Sequence, residues 1–221
     1  MQKPKLSNKV SLAVAVLAGY VAVLAICRRQ YLQWGATDAE QTQPLPGDAL
    51  MDHAAAHHAI TIQAPVEAVW PWLVQIGQDR AGFYSYSFLE NLVAAAGIHN
   101  ANRIVPEWQH LQAGDTVRLG SKKVYGDKTL VPVAALEVNH YLVLQGWGAF
   151  VLQPLDAHTT RFIVRSHAPK EGLTRRIVRF LLFDPIHFVM ERRMLLGIKE
   201  RAERAYRQVK QGLVIRHDPL I

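Results

Sequence analysis

At 221 residues, half of them hydrophobic and with a mean hydropathy of +0.02, the chain has room for one sizeable domain plus an appendage outside water. The formal charge of +7 sits at one end, since residues 1–160 carry 11 Lys/Arg against 12 Asp/Glu and residues 161–221 carry 14 against 6. No zinc-finger spacing or RNA-binding aromatic signature accompanies that basicity, which argues against nucleic acid as a partner, and a sole cysteine, Cys27, excludes an internal disulfide.

Residues 1–9 form a basic N-terminus with Lys3, Lys5 and Lys9. Val10 to Cys27 follows, 18 residues without a charge, and then Arg28 and Arg29. A membrane-spanning helix needs about 20 mostly apolar residues, with a range of about 17 to 25, so residues 10–27 are long enough. A cleaved signal peptide has a shorter apolar region, roughly 7 to 15 residues, and a small-residue cleavage site. Here the run closes on Ile26-Cys27-Arg28-Arg29, a poor cleavage context, and Ile26 stands where a lipoprotein site wants a small residue. An uncleaved single-pass transmembrane helix is expected. Three Lys against two Arg lean its N-terminus toward the cytoplasm.

Residues 28–58 read as a linker, rich in Gln, Thr, Asp and Ala, with Pro44-Leu45-Pro46-Gly47 breaking any regular structure. His53 and His57 stand at i, i+4, a spacing that suits a metal on a helix. No third ligand is evident, so His53, His57 and His58 read as linker histidines, and no metal or cofactor is expected.

From Ile60, alternation of Ile60 and Ile62 with Thr61 and Gln63 predicts a short half-buried strand. Pro65 suits a helix start, and Glu67 complements the dipole of its first turn. Val66, Val69, Trp70, Leu73 and Ile76 then recur at helical spacing. Pro71 removes a backbone bond to Glu67, which predicts a kink or break near Trp70-Pro71-Trp72, and Gly77 ends the helix. A loop with Arg80, Phe83, Tyr84 and Tyr86 follows. These aromatics are either a core plug or the wall of a cavity with Arg80 as its polar handle.

Phe88 to Gly97 predicts a short helix. His99–Gln112 is irregular and holds Arg103, Glu107, Trp108 and Gln109 around Pro106. It is either a binding loop or a surface cover with Trp108 tucked inward. Thr116–Leu119, Leu130–Leu136, Tyr141–Gly146, Ala149–Gln153 and Arg161–Arg165 then alternate with turn residues, as in an antiparallel meander. Leu173–Phe183 mixes three arginines with apolar residues, and Asp184-Pro185 interrupts it. From Pro185 to Lys210 a helix of 26 residues is predicted, about 39 Å long. Its apolar stripe is Ile186, Met190, Met194, Ile198, Ala202, Ala205 and Val209, with Glu191, Arg192 and Arg193 on the wet side. Residues 212–221 are a C-terminal tail.

The segments I-T-I-Q-A-P-V-E-A-V-W-P-W-L-V-Q-I-G (Ile60–Gly77), D-R-A-G-F-Y-S-Y (Asp79–Tyr86), R-I-V-P-E-W-Q (Arg103–Gln109), A-G-D (Ala113–Asp115) and T-R-F-I-V-R (Thr160–Arg165), with the Met190–Ala202 helix, resemble the SRPBCC superfamily. That superfamily is also called START-like or polyketide cyclase/dehydrase-like, and the resemblance is to a bacterial, membrane-anchored branch. It implies an α+β helix-grip fold over residues 59–211, a curved antiparallel sheet wrapped on a long C-terminal helix, with an apolar cavity between them. A bacterial inner-membrane location follows for the single span.

The resemblance implies binding or transport of a hydrophobic small molecule or lipid, with the membrane itself as a partner. Trp70, Arg80, Phe83, Tyr84, Tyr86, Arg103, Glu107 and Trp108 are the expected ligand-binding residues. The Arg-rich segment 173–183 suits an anionic membrane surface, and as an alternative an ordinary amphipathic helix packed on the domain. Arg80, Arg103 and Glu107 equally suit an ion-pair network bracing the loops. Two other functions stand beside the carrier. One is a cyclase or dehydratase with Tyr84, Tyr86, Glu90, Glu107 or His110 as acid–base groups; the other is a scaffold whose cavity is filled by its own aromatics. No catalytic motif of those enzymes maps onto the chain, and the fold by itself does not choose among these functions, because one fold hosts many activities.

Overall fold

The computed structural model describes residues 8–50, 54–88, 100–167 and 170–217. The predicted helix at Phe88–Gly97 and the acid–base candidate Glu90 fall largely or wholly outside them. The chain begins with helix α1 (Asn8–Leu32), the short α2 (Asp38–Thr42) and strand β1 (Ala54–Ile62), followed by α3 (Val66–Val74). After β2 (Thr116–Arg118) and the single turn α4 (Lys122–Tyr125) come β3 (Leu130–Glu137), β4 (Tyr141–Leu144), β5 (Gly148–Asp156) and β6 (Thr159–His167). Helix α5 (Leu173–Val178), a π-helical turn (Arg179–Phe183) and the long α6 (Asp184–His217) close it. The fold is α+β.

The six strands of the described residues pair antiparallel in the order β1-β6-β5-β4-β3-β2, so the meander closes on the first strand. Alternation does the sorting, because successive side chains of a strand point to opposite faces. On β1, Ile60 and Ile62 face α3 and α6, while Ala59 faces away. On β6, Phe162 and Val164 join the first face and Ile163 the second. The stripe Met194, Leu195, Ile198 and Ala202 of α6 seals the inner core. Gly197 lets this helix approach closely: a Cβ there would stand 2.4 Å from the Tyr84 carbonyl oxygen. The arrangement is consistent with a helix grip.

Three expectations are corrected. Of the kink or break expected near Pro71, the break does not occur: α3 runs one turn past Pro71, and Pro65 caps it from outside. Glu67, whose carbonyl loses its partner, is exposed, so solvent can replace the bond. Second, β1 starts at Ala54, not near Ile60, and His57 and His58 are strand residues.

Third, the described residues between 28 and 58 are not a loose linker. The last turn of α1 packs on the domain, with Tyr31 6% exposed, and the stretch from Trp34 to Leu50 straps the sheet's outer face. Leu45 packs there with Ala59, Val143 and Ile163. Two arginines of β6 hold the strap. Arg161 donates to both carboxylate oxygens of Glu40, at 2.6 and 2.8 Å, and to the Gly35 carbonyl at 2.6 Å. Arg165 donates to Asp48 at 2.5 Å and to the carbonyls of Glu40 and Gln43. Such charge-assisted, multiply bonded pairs are the strong ones. Gly47 also touches the sheet, where a Cβ would meet Val143 at 2.9 Å.

Candidate functional site

Beneath the middle of α6 the space between helix and sheet is filled by the chain's own side chains. Leu142, Leu144, Phe150, Phe162, Leu195 and Ile198 are each 1% exposed or less. The hollow lies further along, where α6 begins and the sheet ends. There a cavity of about 520 Å³ opens, within the range of about 300–1,000 Å³ usual for small-molecule sites. Its apolar lining comes from four places: Leu32 of α1, Ala55 and Ala56 of β1, Trp147 of the β4–β5 turn, and Val178, Phe183 and Phe188 of the helical wall. Small residues on the strand ends leave the room, and the helices roof it.

A buried polar cluster forms the floor. Glu191, 4% exposed, accepts from Ser166 Oγ at 3.1 and 2.9 Å and faces His187 Nδ1 at 3.2 Å and His58 Nδ1 at 3.4 Å. His58 Nε2 donates to the Tyr31 carbonyl at 2.7 Å, so that nitrogen carries a hydrogen. With a carboxylate facing its other nitrogen, His58 is best placed as an imidazolium. Burial works against the charged ring, but Glu191 and the Tyr31 carbonyl outweigh it and raise the His58 pKa. Burial pushes Glu191 upward too, and His187, His58 and Ser166 together hold it below the usual carboxylate range. Trp147 Nε1 donates to His187 Nε2 at 3.4 Å, which leaves the His187 Nδ1 hydrogen for Glu191. The cluster therefore ties α1, β1, β6 and α6 together at one point.

Aromatic rings complete the joint with α1. Phe188 meets Tyr31 at 6.1 Å, Trp34 at 6.4 Å and His58 at 5.6 Å between centroids, and Arg192 stacks over Trp34 at 5.0 Å. Further out, Pro185 has no N–H to offer the Leu181 carbonyl four residues back. The helix responds with the π turn, in which the Asp184 N–H reaches the Arg179 carbonyl. The freed Leu181 carbonyl accepts the Tyr20 hydroxyl of α1 at 2.5 Å.

None of the eight expected ligand residues lines this cavity. Trp70 is a core residue. Tyr84, at φ 55°, is buried; its N–H donates to Asn100 Oδ1 at 2.6 Å, its hydroxyl accepts from Gln75 at 2.7 Å, and burial raises its pKa. Phe83 packs edge-on against Trp147 at 5.4 Å, behind the cavity wall. Tyr86 is exposed, with Arg193 over its ring at 5.9 Å. Arg103 is exposed, and among the described residues only its carbonyl is used, by Gln75 at 3.1 Å. Arg80, Glu107 and Trp108 meet at a shallow surface pocket of about 390 Å³, together with His110. Arg80 braces that loop by donating to the Trp108 carbonyl, and burial lowers its pKa.

Glu191 corrects the reading of α6, since it lies on the buried stripe rather than the wet face. The spacing His187, Glu191, Leu195, Ile198, Ala202 carries it there. His58 could have been found by extending the alternation of Ile62 and Ile60 back by two. Ser166 follows in the same way from Phe162 and Val164 of β6, two residues further on; Tyr31 carries no such signal.

Among the described residues one helix is long and apolar enough to cross a membrane: Val10–Leu32 of α1, 23 residues, most of them outside the packed domain. No protein-family model matches the sequence, and no curated protein does. Among solved structures, the solution NMR structure of a Polyketide_cyc-like protein from Corynebacterium glutamicum is similar at 16% identity and a TM-score of 0.31, over 74% of this chain and 96% of that one.

Proposed function

We propose that the chain is a membrane-tethered protein that binds a hydrophobic small molecule or lipid in the cavity at the end of its sheet, with α1 as the tether. The observation that carries this reading is the shared wall: the last turn of α1 and the start of α6 enclose one apolar cavity of about 520 Å³. An apolar space of that size has a use where hydrophobic molecules are close at hand, and a span beside it supplies the closeness. Carrying a molecule out of the bilayer or presenting it there are both compatible with one tethered site.

The test is compositional. The full chain is extracted with its surrounding lipid in detergent-free polymer particles, and bound small molecules are identified by mass spectrometry. Val178→Trp, a half-exposed wall position, narrows the cavity without touching the inner core. A hydrophobic molecule enriched with the native chain and depleted several-fold in Val178→Trp supports the reading. Identical profiles from both, with the variant folded, overturn it.

A further inference from the structure

The cavity's outer wall is apolar where a wall facing water would be polar. Val178, Leu182, Phe183 and Ile186 are 52%, 58%, 58% and 43% exposed, and they form a patch around the π turn. Beside this patch runs α1. Its face of Tyr20, Leu24, Cys27 and Tyr31 recurs every three to four residues; Leu24 and Tyr31 are buried, and Tyr20 and Tyr31 reach Leu181 and Phe188. The remainder of the helix projects free, with every residue from Val10 to Gly19 exposed.

Length then decides where the patch lies. Ten residues of helix cover about 15 Å at 1.5 Å per residue, half of a hydrocarbon core of about 30 Å. A helix that spans must therefore carry its packed half, from Tyr20 to Cys27, into the bilayer as well. Whatever is packed against that half goes with it. We infer that the π turn Arg179–Phe183 and its apolar flanks insert into one leaflet beside α1, so that the cavity opens sideways onto the acyl chains of the bilayer. This rests on the reading of α1 as a membrane span.

Two features of the wall fit hydrocarbon better than water. A backbone carbonyl left without a donor is costly in lipid, where no water can serve it. The one that Pro185 frees at Leu181 is met by the Tyr20 hydroxyl. The charges beside the π turn face inward, while the exposed Arg176, three residues before it, marks where the inserted segment ends. Arg179 lies between Glu171 at 3.7 Å and Asp184 at 3.8 Å, and all three line the cavity, as ionisable groups within membranes do. Arg175 lines the cavity with Ala55 and Ala56, at the domain's edge, where a long stem lets its guanidinium reach lipid phosphates.

The test places the full chain in liposomes of neutral and anionic phospholipid. Nitroxide labels are introduced singly at Leu182, Phe183, Leu17 and Val209 in a Cys27→Ser background. Collision with oxygen, which concentrates in the bilayer, is compared with collision with a water-soluble nickel chelate. Leu17 reports the span and Val209, exposed far along α6, reports water. Labels at Leu182 and Phe183 should resemble Leu17, with oxygen collisions several-fold over nickel. If they resemble Val209 while Leu17 is in lipid, the insertion is overturned and the tether stands. If Leu17 also meets nickel freely, tether and insertion fall together. The unmodified chain gives an independent reading through a carbene photolabel dissolved in the bilayer: adducts on 177–186 support insertion. Adducts confined to α1, with 177–186 protected by a second protein chain or left in water, overturn it.

Discussion

Under the middle of α6 the space between helix and sheet is packed with large side chains; under its first turns it is hollow. The same two elements bound both regions. What differs is the volume that the strands send upward. The middle of the sheet offers Leu142, Phe150 and Phe162, whereas its end offers Ala55, Ala56, Gly146 and Ser166. Closely packed interiors leave few voids by accident. A cavity where a row of small residues meets a roof propped on aromatic rings is therefore a property of this sequence, and its position shifts from the centre of the grip to the end beside α1.

Truncation in the packed half is the harshest way to break this contrast. Phe162→Ala should cost about 3–5 kcal/mol, because a fully buried ring is removed and its surroundings relax only in part. Chemical unfolding of the full chain in micelles measures it, and bound ligand per folded chain should stay unchanged. A cost below about 1 kcal/mol would mean that the middle is not the filled half.

The floor of the hollow half comes next. Glu191→Ala leaves His58 without its counter-charge and should cost about 3 kcal/mol. The pH dependence carries the sign. His58 has its pKa raised in the folded state, so its contribution is complete below the unfolded value of about 6.5 and is lost as pH rises through the folded value. Glu191 has its pKa lowered, so its contribution is present above about 4.3 and is lost as pH falls through the folded value. Stability of the native chain should thus sag on both sides of a weakly acid to neutral optimum. His58→Phe should flatten the alkaline side, and an unchanged alkaline slope in that variant would show that His58 is not the group responsible.

Outside the sheet, Arg161→Met tests the strap that closes the far face. Loss of its charged hydrogen bonds to Glu40 should cost about 1.5–3 kcal/mol. Arg161 holds the Glu40 carboxyl low, so this contribution is present above about 4.3 and fades as pH falls through the folded value. Proteolysis should then cut first between residues 36 and 50; cleavage elsewhere first would mean that the strap is held by its apolar contacts alone.

Regular periodicity made much of this fold legible. The strands from Thr116 to Arg165 and the stripe Met194, Ile198, Ala202 follow from spacings of two and of three to four residues, and the structure keeps them within a few positions. Legibility stopped where long-range partners decide. Arg161 and Arg165 alternate properly in a strand, but nothing local says that they pin residues more than a hundred positions away. Aromatic density drew attention to Trp70–Tyr86, yet density marks packing as readily as a site. The cavity is written in small residues, Ala55, Ala56 and Gly146, which carry no chemical signature of their own.

The smallest expected effect discriminates most finely between the two halves, because it touches only the roof of the hollow one. Tyr20→Phe keeps the ring and removes the hydroxyl that serves the Leu181 carbonyl, at a cost of about 0.5–1.5 kcal/mol. That carbonyl is free only because Pro185 lacks an N–H. In a Pro185→Ala background the helix can supply its own donor four residues on, and the Tyr20 hydroxyl becomes redundant. A double-mutant cycle on thermal unfolding should accordingly find Tyr20→Phe costly beside Pro185 and close to neutral beside alanine. Equal costs in both backgrounds would mean that Tyr20 steadies the roof by some contact other than the carbonyl that Pro185 frees.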